Sequence, residues 1–102
     1  MTITVDKFWI GGGSNPASII NPENAKSVVG TIAGSFDVTL AQGDNLIIVL
    51  TPDLAEQFVR ADMNGIEIPF TESSFTVLGK EYVAYTSDNT YDAGDYNIDI
   101  NA

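Results

Sequence analysis

The chain has 102 residues, the usual length of one domain, with an ordinary globular apolar fraction of 44 % and a net charge of −10 from four basic and fourteen acidic side chains. That charge argues against nucleic acid or an anionic membrane surface as the main partner, since both require clustered Lys and Arg, whereas Lys7, Lys26, Arg60 and Lys80 are scattered. With no Cys and no His, the chain has no disulfide framework, no Cys/His zinc site, no thiol nucleophile and no Ser-His-Asp triad.

The segment from Thr2 to Ile10 opens on Met1–Asp6, which lacks the basic and apolar regions of a signal peptide. Its β-branched and aromatic alternation predicts a strand with Ile3, Val5 and Phe8 or Ile10 facing inward. Gly11-Gly12-Gly13-Ser14-Asn15-Pro16 and then Asn21-Pro22-Glu23-Asn24 read as breaks, so residues 11–25 are expected to form one long, flexible loop. Val28, Val29 and Ile32 begin the next strand, and Phe36, Val38 and Leu40 alternate with polar residues as in a half-buried one. Gln42–Asn45 is a turn. The unbroken run Leu46–Leu50 predicts a strand buried on both faces or covered by a partner.

Residues 51–65 carry two signals. Thr51-Pro52-Asp53 is a helix start, while Asn64-Gly65 between Val59/Ala61/Met63 and Ile66/Ile68/Phe70 is a strong hairpin signal. The hairpin is the favoured reading, and a short helical turn at 52–57 before it reconciles both. Beyond it, Ile66–Phe70, Ser74–Leu78, Glu81–Thr86 and Tyr91–Ile100 read as strands, with a turn or bulge at Gly79-Lys80. The expected fold is a single all-β domain over residues 1–102: an antiparallel sandwich of seven to eight short strands, immunoglobulin-like or jelly-roll-like, with a small barrel as a further option.

Asp92-Ala93-Gly94-Asp95-Tyr96 matches the D-x-G-x-Y pattern that precedes the penultimate strand of immunoglobulin-like domains. On these five residues the chain resembles an immunoglobulin-like sandwich of the bacterial or phage type, in which cysteines are often absent. The resemblance implies a tyrosine corner, with the Tyr96 hydroxyl bonded back to the backbone. One departure stands out: an immunoglobulin domain has another strand after this one, and the chain ends at Ala102. Either this strand is the last of a different sandwich order, or the N-terminal strand takes the missing place. Small, acidic, cysteine-free sandwiches with a loose N-terminal arm also look like phage capsid decoration and tail accessory proteins, a likeness of type alone.

Gly11–Gly13 lacks the Gly-Lys-Ser/Thr ending of a phosphate loop and reads as a hinge. No carboxylate pair has a diagnostic spacing, so an enzyme is not expected. Asp88, Asp92 and Asp95, with Asn89, form the densest acidic stretch and are the candidate calcium ligands; the EF-hand pattern is absent. No other cofactor is implied. Phe8 and Trp9 are adjacent, so one of them points outward from a strand. The candidate partner contacts are therefore Phe8, Trp9, Gly11, Gly12, Gly13, Asn15, Ile19 and Ile20. The expected function is a non-enzymatic accessory protein that binds other protein subunits, in its most specific form a phage virion decoration, cement or tail component. Such a chain would be made soluble in the producing cell, end in the virion and be able to form homo-oligomers, with Leu46–Leu50 a candidate interface. The alternative is a carbohydrate or cell-surface binding module, calcium-assisted or not.

Overall fold

The computed structural model describes residues 6–28 and 30–102, so expectations for Ile3, Val5 and Val29 lie outside the described residues. Strand β1 (Asp6–Gly13) leads through a 3₁₀ turn (Pro16–Ile19) to β2 (Ala25–Val28), β3 (Gly34–Leu40) and β4 (Asp44–Leu50). A single helical turn, α1 (Pro52–Ala55), precedes β5 (Arg60–Met63), β6 (Ile66–Glu67), β7 (Phe70–Val77), β8 (Lys80–Tyr91) and β9 (Gly94–Asn101). The strands form two antiparallel sheets, ordered β2-β1-β4-β8-β7 and β3-β9-β5-β6. The all-β sandwich expected from the sequence is thus the fold observed.

The core between the sheets follows the period-two patterns. Phe8 and Ile10 from β1, Leu46, Ile48 and Leu50 from β4, Val38 and Leu40 from β3, and Ile98 and Ile100 from β9 all point into it. Phe8 meets Phe36 edge-to-face across the two sheets, ring centres 5.1 Å apart. Both signals at residues 51–65 are realised: Pro52–Ala55 is helical, and Asn64-Gly65 closes the β5–β6 hairpin with both residues at positive φ.

The long-loop reading of residues 11–25 is corrected. Gly11–Gly13 continue β1 and pair with Asn45–Ile47 of β4. A Cβ on Gly11 would lie 2.7 Å from the Asn24 side chain, and one on Gly12 would lie 2.5 Å from Asp44 Oδ2. These glycines let neighbouring groups approach the strand closely, which is a different use from a hinge. The connection that follows is held by its own polar groups. Asn15 caps the 3₁₀ turn through Ala17 N–H at 3.1 Å, and Asn21 Oδ1 accepts from Glu23 N–H and Asn24 N–H. Ile19 is thereby pressed onto the outer face of the larger sheet, against Ile47, Val49, Tyr82 and Ala84. Leu46–Leu50 is buried on both faces, as its unbroken apolar run predicts, and the cover on the second face is the chain itself.

One irregularity shapes the far end of the sheet. The β4–β8 register shifts between Asn45 and Ile47, and the extra residues of β8 bulge around Ser87. The buried Ser87 Oγ accepts from Leu46 N–H at 2.8 Å and donates to the Asn89 carbonyl at 2.8 Å. A backbone donor that the bulge leaves without a ladder partner is satisfied in this way.

Candidate functional site

The structure distributes the sequence-predicted contact residues differently from the expectation. Phe8 is fully buried between the sheets and Ile19 is buried under the 3₁₀ turn, so neither is available as a contact anchor. Gly11 is buried and Gly12 and Gly13 are half-buried in β1; Trp9 and Ile20 are half-buried against the second cluster, Trp9 edge-to-face with Tyr82 at 5.6 Å. Only Asn15 is exposed, and its side chain is engaged as a cap. Leu46–Leu50, buried on both sides, is no interface either.

Asp88, Asp92 and Asp95, the candidate calcium ligands, are each engaged within the chain. Asp88 accepts from Thr71 Oγ1 at 2.6 Å, Asp92 from Gln42 Nε2 at 2.8 Å and Asp95 from Thr39 Oγ1 at 2.7 Å. Each carboxylate serves a different strand junction. Among the described residues no group of three His, Cys, Asp or Glu side chains is placed to hold a metal ion. Tyr96 does what the D-x-G-x-Y pattern implied: its hydroxyl donates to the Asp92 carbonyl at 2.8 Å.

The exposed large apolar side chains of the described residues are Val59 (69 %), Ile66 (73 %) and Leu78. Two of these three, Val59 and Ile66, line clefts on either side of one strap. The sandwich opens at the edge where β6 ends one sheet and β7 the other, and the strap Glu67-Ile68-Pro69 crosses that mouth. Hydrogen bonds fix the strap at both ends, from Ile68 N–H to the Ala61 carbonyl and from Asp88 N–H to the Pro69 carbonyl, each 2.9 Å. On one side it borders a cleft of about 420 Å³ containing Phe58, Val59, Phe70 and Tyr85. On the other lies a cleft of about 260 Å³ walled by Met63, Ile66, Ile68 and Tyr91.

The walls of both clefts are preorganised. Phe58 stacks on Tyr85 with ring centres 4.3 Å apart and meets Phe70 edge-to-face at 5.9 Å. Burial raises the Tyr85 hydroxyl above its ordinary pKa, and the neighbouring Glu72 carboxylate raises it further. Burial likewise raises Tyr91, with Tyr96 adding to it. Both phenols are therefore neutral at physiological pH, and the aromatic walls carry no charge of their own. Arg60 stands at the rim, within 3.4 Å of Asp62 and 3.6 Å of Glu67. The smaller cleft is mainly apolar, whereas the larger one mixes its aromatic wall with Arg60, Glu67 and Glu72; an apolar centre with a polar, charged rim is the anatomy of a protein contact.

The chain matches no protein-family model, no curated protein and no solved structure. Val59, Met63, Ile66, Ile68 and Phe70 read in the sequence as flanks of the Asn64-Gly65 hairpin, with no sign that some of them would stay open, and nothing there connects Phe58, Tyr85 or Tyr91 to them. Ile66 pairs directly with Met63, which is 9 % exposed, yet Ile66 is 73 % exposed. The two share a face of the sheet; Ile66 lies on the edge strand, beyond the cover of the opposite sheet. Alternation reports the face of a strand and does not report how far the other layer extends.

Proposed function

We propose that the chain is a non-enzymatic structural accessory module that binds other protein subunits, using the paired clefts at the β6–β7 mouth. The observation that carries this reading is the exposure of Val59 and Ile66 beside ordered aromatic walls, in a chain whose other apolar sheet face is closed by its own 3₁₀ turn. A phage virion decoration, cement or tail component is the most specific form of the proposal. Its support is the small, acidic, cysteine-free sandwich itself.

An immunoglobulin-like assignment is part of the same proposal. If β9, which carries the Tyr96 corner, takes the place of strand F, the sheets read A-B-E-D for β1-β4-β8-β7 and C′-C-F for β6-β5-β9. The place of strand G, beside F, is then filled by β3, which pairs with β9 over Gly34–Leu40. The strand in that place is β3 and not the N-terminal strand β1, which lies in the other sheet, so the expectation that the N-terminal strand fills it is not met.

The carbohydrate-module alternative draws its support from Trp9, Tyr82 and Phe75, which lie in contact on one sheet face. It is the weaker reading, because Tyr82 is 8 % exposed and Trp9 stands at 83° to it, so the rings offer no coplanar platform.

The test is sedimentation in an extract of the source. The wild-type chain is expected to travel with a particle far heavier than its own 10.9 kDa, and a Val59→Glu/Ile66→Glu double variant to travel free. A wild-type chain that always travels free, or a double variant that stays with the particle, overturns the proposal.

A further inference from the structure

The third exposed apolar residue, Leu78, sits at the tip of the β7–β8 hairpin and is fully exposed. The two hairpin tips of the molecule make an internal control. Asn64-Gly65 and Leu78-Gly79 are both two-residue loops with both residues at positive φ, 54° and 80° in the first and 50° and 79° in the second. This backbone favours Asn-Gly, because an L-residue with a bulky side chain is strained at positive φ. The first tip has the favoured pair. The second has leucine, which bears backbone strain and exposes its whole side chain to water. Among the described residues, no packing contact recovers either cost.

Leu78 cannot reach the mouth clefts of its own molecule. Phe70, at the start of β7, lines the larger cleft, and Leu78 lies just beyond the far end of that eight-residue strand. At about 3.4 Å per residue the separation is roughly 27 Å. A second copy has no such limit. We infer that the Leu78 tip of one copy inserts into the Met63/Ile66/Ile68/Tyr91 cleft of the next, so that the chain self-associates head to tail.

Size and charge both fit this occupant. The cleft of about 260 Å³ has room for a leucine side chain between apolar walls. Lys80, one of the chain's four basic residues, follows the tip, with its Nζ 5.6 Å above the Tyr82 ring. The strap beside the cleft presents Glu67, 63 % exposed; its Oε1 lies 3.6 Å from Arg60 of the same chain, which leaves Oε2 to face Lys80 of a second copy. Glu81 points to the opposite face of β8 from Lys80, away from that pairing. Knob and cleft are different surfaces, so the contact is heterologous and leaves a free knob at one end of any open chain and a free cleft at the other.

The inference rests on the reading of the mouth as a contact surface, and purified protein tests it by sedimentation velocity from micromolar to millimolar concentration. The wild-type mass is expected to rise with concentration above 10.9 kDa. Leu78→Asn and Ile66→Asp are each expected to remain monomeric, with association weakened at least about tenfold. Mixed in equal amounts, they should form a dimer of twice the monomer mass, because one retains the cleft and the other the knob. Leu78→Asn should also melt higher than wild type, since Asn suits the turn, so its loss of association is not loss of fold. A wild type that stays monomeric, a Leu78→Asn variant that associates as wild type does, or a mixture that stays monomeric overturns the inference. A monomeric wild type that still travels with a larger particle rejects head-to-tail association alone and leaves the proposed function standing.

Discussion

The outer faces of the two sheets were given opposite chemistry. On the five-stranded sheet, Ile47 and Val49 of β4 and Tyr82 and Ala84 of β8 look outward, and the chain covers them with Ile19 and Trp9. On the four-stranded sheet, Ser35, Asp37 and Thr39 of β3 look outward opposite Asp99, Asn97 and Asp95 of β9. Each of these cross-strand pairs is joined by a side-chain hydrogen bond, with Thr39–Asp95 at 2.7 Å and Asn97–Asp37 at 2.9 Å. Asp62 lies beyond them, directly opposite Asp99. The first face behaves as a second, smaller core and needs its cover to stay folded. The second pairs most of its polar groups across the strands, with Asp62 Oδ1 buried and left without a partner, and it presents Asp37 and Asp95 to solvent. The difference explains why the residue 11–25 segment is structural, and why Val59 and Ile66 stay exposed at the mouth between the sheets.

The largest expected effect breaks the covered face. Deleting residues 1–25 removes Phe8, Ile10 and Ile19, all buried, together with the strand that pairs with β4. That deletion is expected to abolish cooperative unfolding altogether, as read by circular dichroism during urea titration, where a flexible arm would have left the domain intact. A smaller effect probes the bulge at the end of the same sheet. Ser87→Ala leaves the buried Leu46 N–H without its acceptor and should lower the unfolding free energy by about 1–3 kcal/mol. The smallest effect, opposite in sign, sharpens the polar face. Asp62 and Asp99 are like charges in directly opposed positions, and the ion pair from Asp62 to the half-exposed Arg60 offsets part of that repulsion, so Asp62→Asn is expected to stabilise the domain by a small net amount, under about 1 kcal/mol, in low-salt denaturant titrations.

Much of the fold was legible because local chemistry and final position agree. Phe36, Val38 and Leu40 announce β3, Ile98 and Ile100 announce β9, and Asn64-Gly65 announces its hairpin. The Asp92–Tyr96 pattern also announced a hydrogen bond that is present. The misreadings share one cause, the influence of groups distant in sequence. Gly11–Gly13 look like a hinge until Asn24, Asp44 and Leu40 are seen packed against them. Leu46–Leu50 reads equally as a partner interface or as a strand covered by its own chain, and only the position of Ile19 decides between them. Asp88, Asp92 and Asp95 are close in sequence, yet the chain assigns each to a separate neighbour. The second hairpin was missed by one residue, since its turn is Leu78-Gly79 and carries no favoured turn residue at its first position. The candidate surface was the least legible part, because it depends on where one sheet stops covering the other.

Comparing two isoleucines tests the central claim most directly. Ile19 lies in the segment that reads as a loop and is 1 % exposed, whereas Ile66 lies in a predicted strand and is 73 % exposed. Urea unfolding of Ile19→Ala and Ile66→Ala, measured side by side, should show a loss of about 2–4 kcal/mol for the first and under about 0.5 kcal/mol for the second. Equal losses, or a larger loss at Ile66, would contradict the assignment of the residue 11–25 segment to the core and the proposal that the β6–β7 mouth is free to receive a partner.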